Sequence, residues 1–93
     1  MTGPDQPWNI EVTSSALRGL NRLPGKIGAA IVEFITGGLA ENPQRVSKPL
    51  VNELQGFRSA RRGDYRILFT VDIETRTVYV HRIDHRADVY RPR

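Results

Sequence analysis

The chain has 93 residues, enough for one small domain with a modest core, so we expect residues 1–93 to form a single domain. Its composition, 39 % hydrophobic and 26 % charged, is typical of a soluble globular protein. The absence of cysteine excludes disulfides and cysteine-based zinc sites, and two histidines alone do not complete a metal site. We therefore predict no metal and no cofactor. A polar N-terminus and short apolar runs predict neither a signal peptide nor a membrane span, which indicates a cytoplasmic protein.

The positive charge is concentrated in the C-terminal part of the chain. Residues 1–57 contain five basic and five acidic residues, whereas residues 58–93 contain nine arginines and five acidic residues. The whole net charge of +4 therefore lies in this last segment. Such a segment favours a nucleic acid or an acidic protein as the partner. A solvated surface that is merely basic is the alternative.

The first 42 residues predict one strand and two helices. Residues 8–12 alternate apolar and polar side chains, which indicates a short half-buried strand. Thr13 and the two serines after it provide N-cap side chains for a first helix, and Pro24-Gly25 ends that helix. The second helix begins near Lys26 and ends before Pro43. An apolar stripe on each predicts an antiparallel helical hairpin packed on a sheet. The stripe residues are Ala16, Leu17, Leu20 and Leu23, then Ile27, Ala30, Ile31, Phe34 and Ile35.

The rest of the chain predicts most of the sheet. Residues 42–56, interrupted by two prolines and a glycine, are predicted to be a connecting loop. Two strands follow within residues 58–71, then a polar turn at 72–76 and a further strand at 77–83. The charged remainder is too short for more than a turn of helix. The order β-α-α-β-β-β predicts an α+β fold with a mainly antiparallel sheet and the N-terminal helical hairpin packed on one face.

The two strands of residues 58–71 meet at Gly63-Asp64, a pair typical of a two-residue hairpin turn of type II′. With that loop, Arg62 lies opposite Tyr65 and Arg61 lies opposite Arg66. Like charges directly opposite each other are destabilising, so an anion between the two guanidinium groups is expected. The planar guanidinium group suits phosphate and stays charged at any cellular pH. The hairpin is therefore a candidate phosphate site.

Four pieces of sequence resemble the RelE/ParE superfamily of bacterial type II toxins, and most of all its RelE branch. They are Lys48-Pro49-Leu50, Leu54-Gln55-Gly56, the stretch 61–69 that begins Arg-Arg-Gly-Asp-Tyr-Arg, and His85-Arg86-Ala87-Asp88-Val89-Tyr90. The strand-helix-helix order ahead of them is also that of the superfamily. The resemblance therefore covers nearly the whole chain.

The resemblance implies a toxin of the bacterial cytoplasm that a cognate RelB-like antitoxin holds inactive. Toxins of the RelE branch cleave mRNA in the A site of the ribosome without a metal, because the 2′-hydroxyl of the message attacks the adjacent phosphate. The implied partners are therefore mRNA and the ribosome with its 16S rRNA, and operator DNA is bound only through the antitoxin complex. Toxins of the ParE branch instead poison DNA gyrase without a nuclease site. A third possibility is a chain that retains only antitoxin and operator binding.

The resemblance also implies roles for individual residues in the nuclease reaction. Arg66 would clamp the phosphate, and Arg61 would add to that clamp or hold a neighbouring phosphate. Arg86 would stabilise or protonate the leaving group, and Tyr90 would stack on a base or take part in proton transfer. His85, the remaining histidine of the C-terminal piece, is a candidate acid or base because of its residue type. Further contacts with RNA phosphates are expected from Lys48, Arg58, Arg62 and Arg82.

One position departs from the family's pattern. RelE-like toxins often carry a second basic residue two positions before the one matched to Arg61, and that position here is Ser59. The identity of the general base therefore stays open. Arg66 and Arg86 have an alternative role in structural ion pairs, and His81, inside a strand, is predicted to be structural. The carboxylates available for such pairs are Asp64, Asp84 and Asp88.

Overall fold

The computed structural model describes residues 6–85, which form a five-stranded mixed sheet with two helices on one side. The sheet order is β1-β5-β4-β3-β2, with β1 parallel to β5 and the other neighbours antiparallel. The strands are β1 (Asn9–Val12), β2 (Ser47–Pro49), β3 (Arg58–Arg62), β4 (Tyr65–Asp72) and β5 (Thr77–His85). The helices are α1 (Ser14–Asn21) and α2 (Gly25–Phe34), followed by a π-helical turn, Ile35–Leu39, and later a 3-10 turn, Asn52–Leu54. The predicted α+β class is confirmed.

The short strand β2 lies where the sequence predicts only a loop, and that prediction was wrong for residues 47–49. β2 has three residues, does not alternate in polarity and ends at Pro49. Proline is tolerated at the edge of a sheet, and β2 is an edge strand. Because its own sequence does not favour a strand, β2 depends on its antiparallel pairing with β3. One consequence is that Lys48 lies directly opposite Ser59.

The first helix begins as its sequence predicts and then packs unusually close to the sheet. The Thr13 hydroxyl accepts a hydrogen bond from the backbone N–H of Ala16 at 3.2 Å and donates one to the carbonyl of His81 at 3.2 Å. One turn further on, a Cβ added at Gly19 would lie 2.7 Å from the carbonyl oxygen of Ile83. Glycine is therefore required for this approach of α1 to β5, because the obstacle is backbone.

The second helix continues past Phe34 as a π turn, Ile35–Leu39, which contains Gly37 and Gly38. In a regular α-helix, a step of four residues drifts by about 40° around the axis. The wider turn removes this drift, so that Ile31, Ile35 and Leu39 all stay buried against the sheet. No helix within residues 6–85 is long and apolar enough to span a membrane.

The core lies between the two helices and one side of the sheet. Its buried residues come from α1, α2, the π turn and the three central strands, and they are Ala16, Ile31, Ile35, Leu39, Ala60, Ile67, Phe69, Val78, Val80 and Ile83. Trp8, which is half-buried just before β1, packs against this core and has the Arg76 guanidinium 4.7 Å above its ring.

The β3–β4 hairpin has the predicted register. Arg61 pairs with Arg66 and Arg62 pairs with Tyr65. Gly63 has a φ of +61°, whereas Asp64 has a negative φ, as a type II′ turn requires. The next pair of strands is less regular, because β5 contains one more residue than β4 between two aligned segments.

Candidate functional site

Alternate residues of β3 and β4 point to opposite sides of the sheet. Ala60 and Ile67 are paired across the two strands and are buried in the core beneath the helices. Arg61 and Arg66, the next pair in the ladder, therefore project to the other side. We call the side that contacts α1 and α2 the helix face, and the opposite side the basic face.

A pocket of about 410 Å³ lies on the basic face. Three positive charges of the sheet and a fourth from the loop before β2 line it, and no acidic residue of the part that the structure describes does so. Arg61 is exposed and Arg66 is half-buried, while Lys48 reaches the pocket from β2. The lining residues are Arg45, Val46, Ser47, Lys48, Leu50, Ser59, Arg61 and Arg66.

The two central arginines of the pocket are available to a ligand. Within residues 6–85, the side chains of Arg61 and Arg66 form neither an ion pair nor a hydrogen bond. The structural alternative for Arg66, an ion pair with Asp64 or Asp84, is not formed, and Asp84 instead holds Arg82 at 2.7 Å. The alternatives that involve residue 88 lie outside the described residues. A half-buried cation without a counter-ion is stabilised when an anion binds beside it, so the pocket is suited to a phosphate group.

The structure does not bring all the predicted site residues to this pocket. Arg58 lies in the ladder opposite the core residue Phe69, and its Nε donates a hydrogen bond to Ser47 Oγ at 2.7 Å. The Arg58 guanidinium also donates a hydrogen bond to the Gln44 carbonyl at 3.3 Å. Arg58 therefore links β3 to the loop before β2. Arg82 is bound to Asp84 and lines a small cavity beside α1 rather than the pocket.

Two further predicted residues lie on the helix face. Arg62, the neighbour of Arg61, lines a groove there with Lys26 and Tyr65. His85 pairs with Tyr65, and the two rings meet edge to face with their centroids 5.6 Å apart. The structure therefore places neither side chain with Arg66. Arg86 and Tyr90 lie outside the described residues.

A second cluster on the basic face was not predicted from the sequence. The Nε2 atom of His81 lies 2.9 Å from Thr70 Oγ1, and the ring of Phe57 meets the imidazole edge to face at 5.1 Å. Burial lowers the pKa of His81 below its usual 6.5, so the imidazole is neutral at physiological pH. The contacts with Thr70 and Phe57 fix the orientation of the His81 ring. The only signal in the sequence was an aromatic residue just before the strand of arginines.

Potential metal ligands do not cluster on either face. Within residues 6–85 there is no group of three or more histidine, aspartate or glutamate side chains that could hold a metal ion.

Comparison with known proteins identifies the family. The family model described as the ParE toxin of type II toxin–antitoxin systems (parDE) matches residues 10–90. The chain belongs to this toxin family. Two relatives of this toxin, both from Mycobacterium tuberculosis, bear RelE-type names. Toxin RelG is 52 % identical over 91 % of this chain and 98 % of its own length, and Toxin RelE is 47 % identical over 94 % and 90 %.

A solved structure supports the same assignment. The RelBE2 toxin–antitoxin complex of Mycobacterium tuberculosis contains a chain 51 % identical to this toxin, with a TM-score of 0.85 over 89 % of this chain and 95 % of the other. The resemblance to the RelE/ParE superfamily, and to its RelE branch in particular, is therefore confirmed. The family model carries the name ParE and the relatives carry the name RelE, so the family name alone does not decide the molecular target.

Proposed function

We propose that this toxin is an endoribonuclease that cleaves mRNA in the A site of the ribosome, without a metal, by attack of a 2′-hydroxyl on the adjacent phosphate. The observation that carries the proposal is the position of Arg61 and Arg66. They lie opposite each other in a pocket with four basic lining residues, and neither has a partner within residues 6–85. The names of the RelE and RelG relatives support the same reading.

The reaction transfers the phosphoryl group within the message. The bond from the 2′-oxygen to phosphorus forms and the bond from phosphorus to the 5′-oxygen breaks, which leaves a 2′,3′-cyclic phosphate and a 5′-hydroxyl. Charge develops on the non-bridging oxygens of the phosphate in the transition state. Arg66, half-buried and held as the second residue of β4 beside the hairpin turn, is the residue we assign to that charge, and Arg61 binds beside it.

The reaction also needs a proton acceptor for the 2′-hydroxyl and a donor for the 5′-oxygen. The pocket has three arginines, which do not give up their protons, and Lys48 is its remaining basic lining residue. We assign the acceptor role to Lys48, which β2 places opposite Ser59, the position where related toxins often have a basic residue. As the resemblance to the family implies, Tyr90 is left to protonate the leaving 5′-oxygen, and Arg86 stabilises the charge that develops there.

The proposal includes a cognate antitoxin. The related chain of known structure is part of a RelBE complex. We infer that a RelB-like antitoxin binds this toxin as an acidic or amphipathic segment that folds on binding and neutralises the basic face. Operator DNA is then bound only through that complex. Association driven by complementary charge slows as salt rises, and an on-rate that ignores ionic strength would contradict this part of the proposal.

The ParE name of the family model favours gyrase poisoning as the second candidate. One experiment separates the two: the toxin is induced, transcripts are mapped by primer extension, and gyrase supercoiling is assayed in parallel. Cuts within translated messages that disappear in Arg66→Ala and Arg86→Ala support the nuclease. Linearised DNA with intact messages supports the gyrase poison. Absence of both effects contradicts both candidates and leaves antitoxin binding as the remaining function.

A further inference from the structure

The irregularity in β5 directs an extra side chain onto the basic face. Leu68 pairs with Arg82 and Phe69 pairs with Val80, so His81 is the additional residue of a β-bulge. Val80 on one side and Ile83 on the other belong to the core. The bulge therefore lets β5 keep these apolar residues under the helices while it adds an imidazole to the opposite side.

Three rings lie on the basic face around this bulge, and two of them, those of Phe57 and His81, are in contact. His81 is held by Thr70, and Thr70 is also the cross-strand partner of Tyr79. Phe57 contacts the other side of the imidazole with a centroid distance of 5.1 Å. We call Phe57, His81 and Tyr79 the aromatic cluster.

The aromatic cluster adjoins the basic pocket. Leu50 lines that pocket, and its backbone N–H donates to the carbonyl of Phe57 at 2.9 Å, which extends the β2–β3 ladder by one step. Along β4, Thr70 lies four residues beyond Arg66 on the same side of the sheet, a separation of roughly 13 Å. A nucleotide next to the phosphate bound at Arg66 can therefore reach the cluster.

The chemistry of the cluster differs from that of a hydrophobic core. Tyr79 is 37 % exposed and Phe57 and His81 are half-buried, whereas Phe69 beneath the helices is fully buried. The imidazole is uncharged at neutral pH, for the reason given above, so it offers a π surface without adding charge. Flat, partly exposed rings beside a positively charged groove are the arrangement with which proteins bind single-stranded RNA.

We propose that Phe57, His81 and Tyr79 form a subsite that stacks an unpaired nucleobase of RNA while Arg61 and Arg66 hold the neighbouring phosphate. The inference rests on the proposed ribonuclease function and adds to it a second contact, between the aromatic cluster and a base of the RNA substrate. The charge of the adjoining pocket favours a polyanion as the occupant. A docked antitoxin segment is the competing occupant.

The test measures binding of the purified full-length toxin to a short, fluorescently labelled 2′-O-methyl RNA, which has no free 2′-hydroxyl to attack, by fluorescence anisotropy. Tyr79→Ala is expected to weaken the Kd about tenfold, within the range for the loss of one base–aromatic stack. Tyr79→Phe keeps the ring and is expected to bind as the wild type does. Phe57→Leu keeps apolar bulk but removes the ring, and it is expected to weaken binding as well.

Two controls identify the contact as stacking. The first control is a set of oligonucleotides that are identical except that each lacks the base at a different position. The wild type and Tyr79→Ala should bind one member of the set equally well, the one that lacks the stacked base. The dependence of log Kd on log salt should be unchanged in Tyr79→Ala and should fall by about one unit in Arg61→Ala, which removes a phosphate contact. Ile73→Ala, at an exposed apolar position in the β4–β5 turn, is the matched control and should bind RNA normally.

Three results would overturn the subsite. The first is that Tyr79→Ala and Phe57→Leu both bind RNA as the wild type does. The second is that every base-lacking oligonucleotide shows the same loss as the intact one. Alternatively, the variants weaken antitoxin binding and leave RNA binding intact, which makes the cluster a protein-docking surface. Failure of the underlying function has a different signature, because Arg61→Ala and Arg66→Ala would then leave both the Kd and its salt dependence unchanged.

Discussion

The helix face and the basic face of the sheet are built from the same strands and have opposite energetics. On the helix face, Ala60, Ile67 and Phe69 are buried among apolar side chains from both helices. On the basic face, Arg61 and Arg66 are paired across the ladder with like charge and have no counter-ion within residues 6–85. One face stabilises the fold, and the other keeps an arrangement that becomes favourable when an anion binds. The alternation of side chains along β3 and β4 lets a chain of this size do both.

Substitutions on the two faces should change the free energy of unfolding very differently, with the large loss on the helix face. Phe69→Ala removes a fully buried ring and is expected to lower the free energy of unfolding by about 4 kcal/mol. Arg61→Ala removes a like-charged neighbour of Arg66, so stability should stay the same or rise by a few tenths of a kcal/mol. Urea unfolding followed by circular dichroism measures the free energy of unfolding of both variants. A loss of more than about 1 kcal/mol in Arg61→Ala would contradict the conclusion that the helix face, and not the basic face, stabilises the fold.

Neighbouring arginines on opposite faces give a matched pair for activity. Arg61→Ala and Arg62→Ala remove the same charge from adjacent positions of β3. We expect cleavage of mRNA on programmed ribosomes to fall by about 10²-fold in Arg61→Ala, because a donor to the phosphate is lost. Arg62→Ala, which lies on the helix face, should retain activity within about threefold. Equal losses would mean that net charge, and not the pocket, is what matters.

A substitution of Lys48 distinguishes two roles for a residue of the basic face, phosphate binding and proton acceptance. If it only binds phosphate, Lys48→Arg keeps the charge and should keep most of the activity. As the proton acceptor it cannot be replaced by arginine, so the single-turnover cleavage rate should fall by about 10²-fold while RNA affinity changes little. A rate in Lys48→Arg close to that of the wild type would remove Lys48 from this role.

The smallest expected effect concerns pH and the aromatic cluster. Burial lowers the pKa of His81 in the folded state, so the unfolded chain binds a proton more readily. The resulting stability is present above the usual pKa of 6.5 and is lost as the pH falls through the lower pKa of the folded state. The free energy of unfolding should therefore decrease below pH 6.5 by less in His81→Gln than in the wild type. Parallel curves for the two proteins would contradict the assignment of this titration to His81.

The local parts of the site could be predicted from the sequence. The Gly63-Asp64 turn fixes the pairing of Arg61 with Arg66, because a two-residue loop leaves only one register and the side-chain period of a strand is two. The N-cap at Thr13 is local in the same way. Family resemblance added the phosphate chemistry, which the hairpin alone suggests but does not specify.

Parts of the site that depend on distant residues were not predictable. Strand β2 forms because β3 offers it a partner, and only this pairing places Lys48 in the pocket. Arg58 belongs to the same strand as Arg61, yet its hydrogen bonds to Ser47 and Gln44 make it structural. His85 is a candidate acid or base by its residue type, but its pairing with Tyr65 places it on the helix face.

The sequence by itself determined the α+β class, the hairpin and the charged pair at its end, because each follows from side-chain periodicity and turn chemistry within about a dozen residues. Only the tertiary structure decided which basic residues share a pocket, and that a bulge in β5 brings His81 to Phe57 and Thr70. The physical reason is that burial and cross-strand register depend on segments far apart in the chain. Their relative positions are set by packing of the whole core rather than by any local preference.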